Sequence, residues 1–178
     1  MIEFESRGLK YQTLTRNGVT IMFAPLPTHL REYTIFQVAV SNGSAGPYVI
    51  RPEDFHYVES NEESVEAASA EGIIGMLMQK GSGGDVVKLV ATYETALYGI
   101  PHMKSTNGFE ARRQNAMAFG ASKLRAAATA SAVALVQTKL APGESTDGAI
   151  FVPIDAKMIG MGHLRVSTNT DTFDFKAE

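Results

Sequence analysis

The sequence YTIFQVAV, residues 33–40, is the strongest indication of the fold of this chain. Its middle is apolar at odd and even positions alike, which is typical of a strand that is buried on both faces. We therefore predict a central strand of a β-sandwich here. The residues that follow, Ser41-Asn42-Gly43-Ser44, predict a tight turn in which Asn42 and Gly43 adopt positive φ angles. Asn42-Gly43-Ser44 also matches a glycosylation sequon, and the turn is sufficient to explain it.

Shorter runs of strand-forming residues lie on both sides of this stretch. The first of them alternates in polarity and ends at a break marked by Pro25 and Pro27. In the second half of the chain, Pro142-Gly143 fits the two central positions of a type II turn. The predicted strands lie at residues 19–23, 48–50, 55–58, 138–140, 148–153, 163–167 and 172–176.

The two strand-rich regions belong together in one domain. Neither has enough strands to close a sandwich alone, but together they span roughly 100 residues, about the size of one immunoglobulin-like sandwich. We predict that residues 1–60 and 138–178 form this domain, and that residues 61–137 form a helical insertion. Such an insertion is tolerable because the entropic cost of closing a loop grows only logarithmically with its length. The competing interpretation is two domains, one of them a free helical bundle.

The spacing of apolar residues changes to that of helices after residue 61. Ser60 and Glu63 have the spacing of a capping box, which predicts the start of a first helix that ends at Gly81-Ser82-Gly83-Gly84. Asp85 is predicted to cap the second helix. The apolar positions of the two helices are Val65, Ile73, Met76 and Leu77 in the first, and Val86, Val90, Tyr93 and Leu97 in the second.

A third helix, rich in alanine, completes the predicted insertion. Asn107 and Glu110 repeat the capping-box spacing, and the helix is expected to run to about Ser131. Its small side chains would let another helix approach closely, so we predict a homo-oligomer that forms through it as one possibility. The complete prediction is an α+β chain, an immunoglobulin-like antiparallel β-sandwich interrupted by a three-helix insertion.

Composition excludes several classes of protein. The 178 residues are 44% hydrophobic and 20% charged, which excludes a disordered or collagen-like chain. The net charge of -3 provides no general attraction to nucleic acids or anionic membranes, and neither is expected as a partner. The absence of cysteine excludes thiol catalysis, disulfides and cysteine-based metal sites. We expect no membrane span, because no stretch approaches the roughly 18 apolar residues that one requires.

Two pairs of segments resemble a known family. Phe36–Asn42 with Ile50–Phe55, and Leu140–Ser145 with Gly148–Pro153, are similar to the strand and turn pattern of bacterial secreted immunoglobulin-like domains of unknown function. That family is similar to the mycobacterial immunoprotective extracellular protein. The resemblance implies a β-sandwich and a periplasmic or extracellular location, with a cytoplasmic location as the alternative. It implies no catalytic residue.

A methionine and histidine cluster suggests one metal site. Met158, Met161 and His163 form a Met-x-x-Met-x-His pattern beside glycines. Thioether and imidazole groups are ligands soft enough for Cu(I), so copper handling is one functional hypothesis. The competing interpretation is that these methionines fill gaps at the edge of the sandwich.

A run of basic residues without acids suggests an interaction surface. Arg112, Arg113, Lys123 and Arg125 lie on the third predicted helix. Binding of nucleic acid is not expected, because few aromatic residues lie between these side chains. The alternative is that they form the solvated face of a long helix.

The chain lacks the familiar catalytic motifs. Gly-x-Ser-x-Gly, Ser-x-x-Lys and His-Glu-x-x-His are all absent from the sequence. Our leading hypothesis is therefore a non-enzymatic, exported protein that binds a partner protein or a small ligand and needs no cofactor. Copper handling is the first alternative, and a hydrolase whose site is assembled only in three dimensions is the second.

Overall fold

The structure is a computed structural model that describes residues 1–99 and 122–177. The described residues form three helices and eleven strands, and the fold is α+β. The helices are α1 (Ala70–Lys80), α2 (Gly83–Gly99) and α3 (Ser122–Val133). The strands are β1 (Ile2–Ser6), β2 (Leu9–Arg16), β3 (Val19–Leu30), β4 (Tyr33–Asn42), β5 (Tyr48–Ile50), β6 (Phe55–Val58), β7 (Ser64–Glu66), β8 (Thr138–Leu140), β9 (Ser145–Val152), β10 (His163–Ser167) and β11 (Thr172–Asp174).

The larger sheet has five antiparallel strands in the order β1-β2-β3-β4-β9. Its most buried strand is β4, in which Val38 pairs with Phe23 of β3 on one side and with Gly148 of β9 on the other. The strand predicted at residues 33–40 is therefore confirmed, and it is an inner strand of its sheet. The β2–β3 hairpin turns at Asn17-Gly18, where both residues have positive φ, as a two-residue hairpin turn requires.

A second sheet covers one face of the first. Its order is β11-β10-β6-β7, and all of its pairs are antiparallel. One hydrophobic core joins the two sheets, with Phe36 and Ile150 from the first and Phe55, Val166 and Phe173 from the second. Residues from before position 60 and from after position 138 thus share this inner core, an arrangement compatible with a sandwich.

Helices cover the opposite face of the five-stranded sheet. Alternation sends Ile35 and Phe151 to this face, where they join an outer core with Ile73, Leu77 and Leu89 of the helices. The described residues thus form three layers, which are the five-stranded sheet, the second sheet and the helices. In addition, β5 pairs with β8 in a separate two-stranded sheet. No helix in the described parts of the chain is both long and apolar enough to cross a membrane.

The alanines of α3 account for its close packing within this layer. Ala126, Ala127, Ala130 and Ala132 are all buried inside the chain. A contact between two copies through this helix would therefore need other residues. The predicted start of the helix, from Asn107 to residue 121, lies outside the described residues. Tyr93 and Leu97 lie in α2, but their side chains are not described, so their place in the apolar stripe stays a prediction.

The predicted start of the first helix is wrong. Residues after Ser60 form a turn and then β7, in which Val65 pairs with Tyr57 and packs against the inner core. The helix begins at Ala70, where the Ser69 hydroxyl accepts a hydrogen bond from the backbone N–H of Gly72. The segment predicted as an insertion, 61–137, therefore also contributes a strand to the second sheet.

The predicted cap of the second helix is also wrong. The helix begins at Gly83, and Ser82 is its cap residue. The Ser82 hydroxyl accepts a hydrogen bond from the backbone N–H of Asp85. In return, the Asp85 carboxylate accepts a hydrogen bond from the backbone N–H of Ser82. Ser82 and Asp85 thus form a reciprocal capping box, with the serine as cap and the aspartate in the first turn.

The predicted break at Pro25 and Pro27 is wrong as well. β3 continues through both prolines to Leu30, with a register shift against β4 between Pro25 and His29. The pairing of β3 with β2 ends at Phe23, so β2 requires no N–H group from either proline, and Pro27 lies in the register shift, where no β4 partner is paired with it.

The loop at Asn42 differs from the tight turn that the sequence predicts. Neither Asn42 nor Gly43 has a positive φ, and the Asn42 side chain is completely buried. The predicted type II turn at Pro142-Gly143 is confirmed, because Gly143 has a φ of 84° and the Glu144 N–H donates to the carbonyl of Ala141.

Candidate ligand cleft

A cleft of about 580 Å³ opens at one end of the two sheets. The β1–β2 hairpin forms one side of it, and the loop before β10 together with the segment after β11 forms the other. The cleft lies within the size range of small-molecule sites, which are commonly apolar with a few polar groups.

Aromatic rings form the deep wall of this cleft. Phe23 meets Phe175 edge to face, with ring centroids 4.8 Å apart, and it lies 6.1 Å from Phe36. The ring of Tyr57 lies 6.2 Å from that of Phe36. These rings come from β3, β4, β6 and the segment after β11, and each points inward because of strand alternation. Edge-to-face geometry is a preferred arrangement of aromatic rings, and the packing of the inner core holds these side chains in place.

The Tyr57 hydroxyl holds the loop that closes one side. It donates a 2.8 Å hydrogen bond to the carbonyl of Met158 and accepts a 3.1 Å bond from the backbone N–H of Gly162. A Cβ at Gly162 would lie 2.1 Å from the carbonyl oxygen of Val58, so only glycine lets the loop approach this closely. The loop is thus fixed against β6 at two points.

Charged and polar groups form the rim on the β1–β2 side. Glu3 lies opposite Gln12 and accepts a 2.8 Å hydrogen bond from its amide, and Glu5 lies opposite Lys10. All four line the cleft. Two carboxylates and one ammonium give this rim an excess of negative charge. The rings of the wall are almost completely buried, so the carboxylates of the rim determine the charge preference, and they favour an apolar group that carries a positive charge.

The predicted copper ligands lie at or beside this cleft and differ in exposure. Met158 is half-buried, whereas the side chain of Met161 is 60% exposed. His163 directs Nε2 to within 3.0 Å of Oδ1 of Asp174, although not with hydrogen-bond geometry, and the other oxygen of Asp174 accepts from Arg165. Among residues 1–99 and 122–177, no three His, Cys, Asp or Glu side chains are placed to hold a metal. That finding does not cover methionine side chains, so copper handling by Met158, Met161 and His163 stays a prediction.

The predicted basic surface is only partly described. Arg112 and Arg113 lie outside the described residues. Lys123 is exposed, and Arg125 is half-buried at a second hollow of about 350 Å³ between α2 and α3. The interaction surface therefore stays a prediction.

The carboxyl group of Asp171 organises the opposite end of the sheets. It accepts hydrogen bonds from Asn17, Thr170 and Tyr48, at 2.5, 2.8 and 2.9 Å. The bonds from Asn17 and Thr170 lower the pKa of Asp171 most, burial opposes them, and the Tyr48 bond lowers it further. Because the network joins the β2–β3 turn to β5 and the β10–β11 turn, we interpret it as structural.

The carboxyl group of Asp85 joins the helices to the first sheet. Burial by itself would raise its pKa, but hydrogen bonds from Arg31 and Ser82 outweigh that effect, and the pKa is lowered. Arg31 lies in the β3–β4 turn, 2.8 Å from the carboxylate, and also donates to the carbonyl of Lys80. This ion pair therefore fixes the α1–α2 junction on the turn.

Comparisons with known proteins return no relatives of this chain. No family model matches it, and searches of curated proteins and of solved structures also find no match. The function must therefore be argued from the chemistry of the cleft itself.

Sequence reasoning missed the cleft, although part of its signal is in the sequence. Alternation at residues 172–176 predicted a strand whose apolar side chains face the core. Nothing in the local pattern indicated that Phe175 would meet Phe23 at an open end of the sheets. Glu3 and Glu5 were not predicted as site residues, because the sequence analysis did not identify the β1–β2 hairpin.

Proposed function

We propose that this chain is a non-enzymatic binding protein whose cleft takes an apolar or aromatic group of a partner protein or a small ligand. The observation that carries the proposal is the cleft of about 580 Å³ with its wall of Phe23, Phe36, Tyr57 and Phe175. Apolar concavities with a few convergent polar groups are the common form of ligand sites.

The charge of the rim selects among such ligands. Glu3 and Glu5 outnumber Lys10 among the charged side chains of the hairpin that line the cleft. A cationic group gains from these carboxylates, whereas an anionic group is repelled. The proposed ligand is therefore an apolar or aromatic group with a positive charge.

The proposal is tested with three small probes of equal ring size. Benzylamine, benzyl alcohol and phenylacetate are titrated into ¹⁵N-labelled protein, and shifts of the backbone signals of Phe23, Tyr57 and Gly162 are followed by NMR. We expect affinity to fall in the order benzylamine, benzyl alcohol, phenylacetate. If none of the three moves these signals, the proposal is wrong.

A blocking variant provides the control. Ala177 is exposed and lines the cleft, so Ala177→Trp fills the mouth without burying a new group. We expect it to weaken benzylamine binding at least about tenfold, equivalent to about 1.4 kcal/mol. Ala141 is exposed in the type II turn at the far end, and Ala141→Trp should leave binding unchanged. Equal affinities for the two variants would contradict the proposal.

We also propose that the sandwich is of the immunoglobulin-like type and that the protein acts in the periplasm or outside the cell. The antiparallel sheets with a common core support the first point, and the family resemblance of the strand and turn segments supports both. Fractionation of cells that express the full-length protein tests the location. Recovery in the cytoplasm alone would overturn this part of the proposal.

A further inference from the structure

The first strand presents a free sheet edge. β1 is the terminal strand of the five-stranded sheet, and its first four residues are exposed. Within the described parts of the chain, β1 pairs only with β2. Alternate backbone N–H and C=O groups along its outer side are therefore available to another strand.

The opposite edge of the same sheet, at β9, is covered by other backbone segments. Along β9, Ala149 forms a bridge with Ala134, and its carbonyl accepts from the N–H of Leu135. Further along the strand, the carbonyl of Phe151 accepts from the N–H of Ala68. Within residues 1–99 and 122–177, the backbone thus covers the edge at β9 and leaves the edge at β1 open. β1 lacks lysines, prolines and bulges, and Glu3 and Glu5 are the charged side chains that guard this edge against uncharged or acidic strands.

The two faces of β1 have different chemistry. Glu3 and Glu5 share the face of Gln12, which lies opposite Phe23 on the cleft side of the sheet. Ile2 and Phe4 share the other face, where the ring of Phe4 stacks on Tyr11 at 5.2 Å. An added strand would therefore place alternate side chains beside the acids and the others beside Phe4.

This charge pattern selects the occupant of the edge. A second copy that paired antiparallel about Phe4 would place Glu3 opposite Glu5 of the other copy, and like charges in directly opposite positions destabilise a sheet. A strand with lysine or arginine at alternate positions would instead place cations opposite both glutamates. Charge complementarity thus favours a basic strand over a second copy.

We infer that β1 binds an extended, basic segment of another protein as a sixth strand of the five-stranded sheet. Its lysine or arginine side chains face Glu3 and Glu5, and its backbone pairs with β1. This inference rests on the proposed function, because the same segment supplies the positively charged apolar group that enters the cleft. Strand addition of this kind takes affinity from the backbone and specificity from the side chains.

The test separates backbone pairing from simple charge attraction. The probe is a fluorescein-labelled nine-residue peptide of alternating lysine and valine, and binding is measured by fluorescence polarisation. Two further peptides carry N-methyl groups on all the lysines or on all the valines. Only one of these sets has its N–H groups directed at β1, so we expect one methylated peptide to lose about tenfold or more in affinity and the other to bind like the parent.

Charge variants complete the experiment. Glu3→Gln and Glu5→Gln should each weaken the parent peptide about threefold, since opposite-charge pairs across strands contribute roughly 0.2–1 kcal/mol. Glu66 is an exposed acid on β7, an edge strand of the other sheet, and Glu66→Gln is the matched control without effect. A peptide of alternating glutamate and valine should not bind.

Three outcomes overturn the inference. The first is equal binding of both methylated peptides, and the second is no binding of the parent. The third is a dimer in sedimentation that Phe4→Pro abolishes, which would assign the edge to a second copy. If benzylamine still binds and Ala177→Trp still blocks it, the proposed function survives any of these. If the peptides behave as expected but benzylamine does not bind, the proposed function fails and strand pairing remains.

Discussion

Removal of the Asn42 side chain should be among the most destabilising changes to a polar residue of this chain. Asn42 is completely buried at the end of β4. Its amide donates to the carbonyls of Gly46 and Leu140, at 2.8 and 3.0 Å. Its side-chain oxygen accepts from the backbone N–H and the hydroxyl of Ser44, at 3.0 and 2.6 Å. One side chain therefore joins β4, the loop that follows it and β8.

The expected magnitude follows from these bonds. Each contributes about 0.5–1.5 kcal/mol net, and a buried group that is left without a partner costs about 1–3 kcal/mol. Ser44 and Gly46 are near the surface and can be reached by water, whereas the Leu140 carbonyl is in the interior. We therefore expect Asn42→Ala to lower the free energy of unfolding by about 3–4 kcal/mol, or roughly 10 °C in melting temperature.

The isosteric variant tests the direction of the bonds. Asn42→Asp keeps the acceptor for Ser44 but replaces the amide donor with an oxygen that faces two carbonyls. It also buries a charge, so it should destabilise more than alanine at neutral pH. Burial and these carbonyls would raise the pKa of the new carboxyl, and protonation restores a donor. The difference from the unsubstituted protein should therefore shrink as the pH falls toward 5.

Urea unfolding followed by circular dichroism measures all of these values. Asn61 provides the control, since it is exposed and its side chain accepts only the N–H of Glu63 in the described hydrogen bonds. Asn61→Ala should cost less than about 1 kcal/mol. If Asn42→Ala costs no more than Asn61→Ala, the buried bonds do not stabilise this loop and the reasoning is wrong.

Three further predictions concern the loop, the helix junction and the metal hypothesis. Gly162→Ala should lower stability by about 2–3 kcal/mol and weaken benzylamine binding, because its Cβ would meet the carbonyl of Val58; unchanged urea unfolding would contradict this. The pKa of Asp85 is lowered in the folded state. Its ion pair therefore stabilises the fold fully above the ordinary aspartate pKa of about 4. This stabilisation is lost as the pH falls from about 4 toward the pKa of the folded state. The difference in stability between the unsubstituted protein and Asp85→Asn should therefore be largest near pH 6 and shrink toward pH 3, and a constant difference would refute the assignment. Under the proposed function, Cu(I) should leave the melting temperature unchanged; a rise that Met161→Leu and His163→Gln remove would instead support copper handling.

Local patterns were sufficient for most of the strands. Residues 33–40 are apolar on both sides because β4 lies between two neighbours in its sheet and between two cores. Pro142-Gly143 forms a type II turn because proline and glycine prefer its dihedral angles wherever they occur. Periodicity and turn chemistry depend on adjacent residues, so the sequence carries them directly.

The start of the first helix could not be predicted from local sequence, because two serines could each cap it. Ser60 and Ser69 both offer a hydroxyl to a helix start, and Ser60 has the better capping-box spacing. Ser69 is the cap because Val65 is needed as a strand residue against the inner core. Burial of one apolar side chain thus outweighed a local preference.

What the sequence determined by itself is most of the strands, the largely helical nature of the middle region and the absence of cysteine chemistry, since each depends on composition or on near neighbours. Only the tertiary structure decided that Asn42 is a buried junction instead of a turn, that Phe23 and Phe175 meet in a cleft, and that β1 has an open edge. Each of these depends on which distant segments meet, and that is set by the burial of both faces of one sheet.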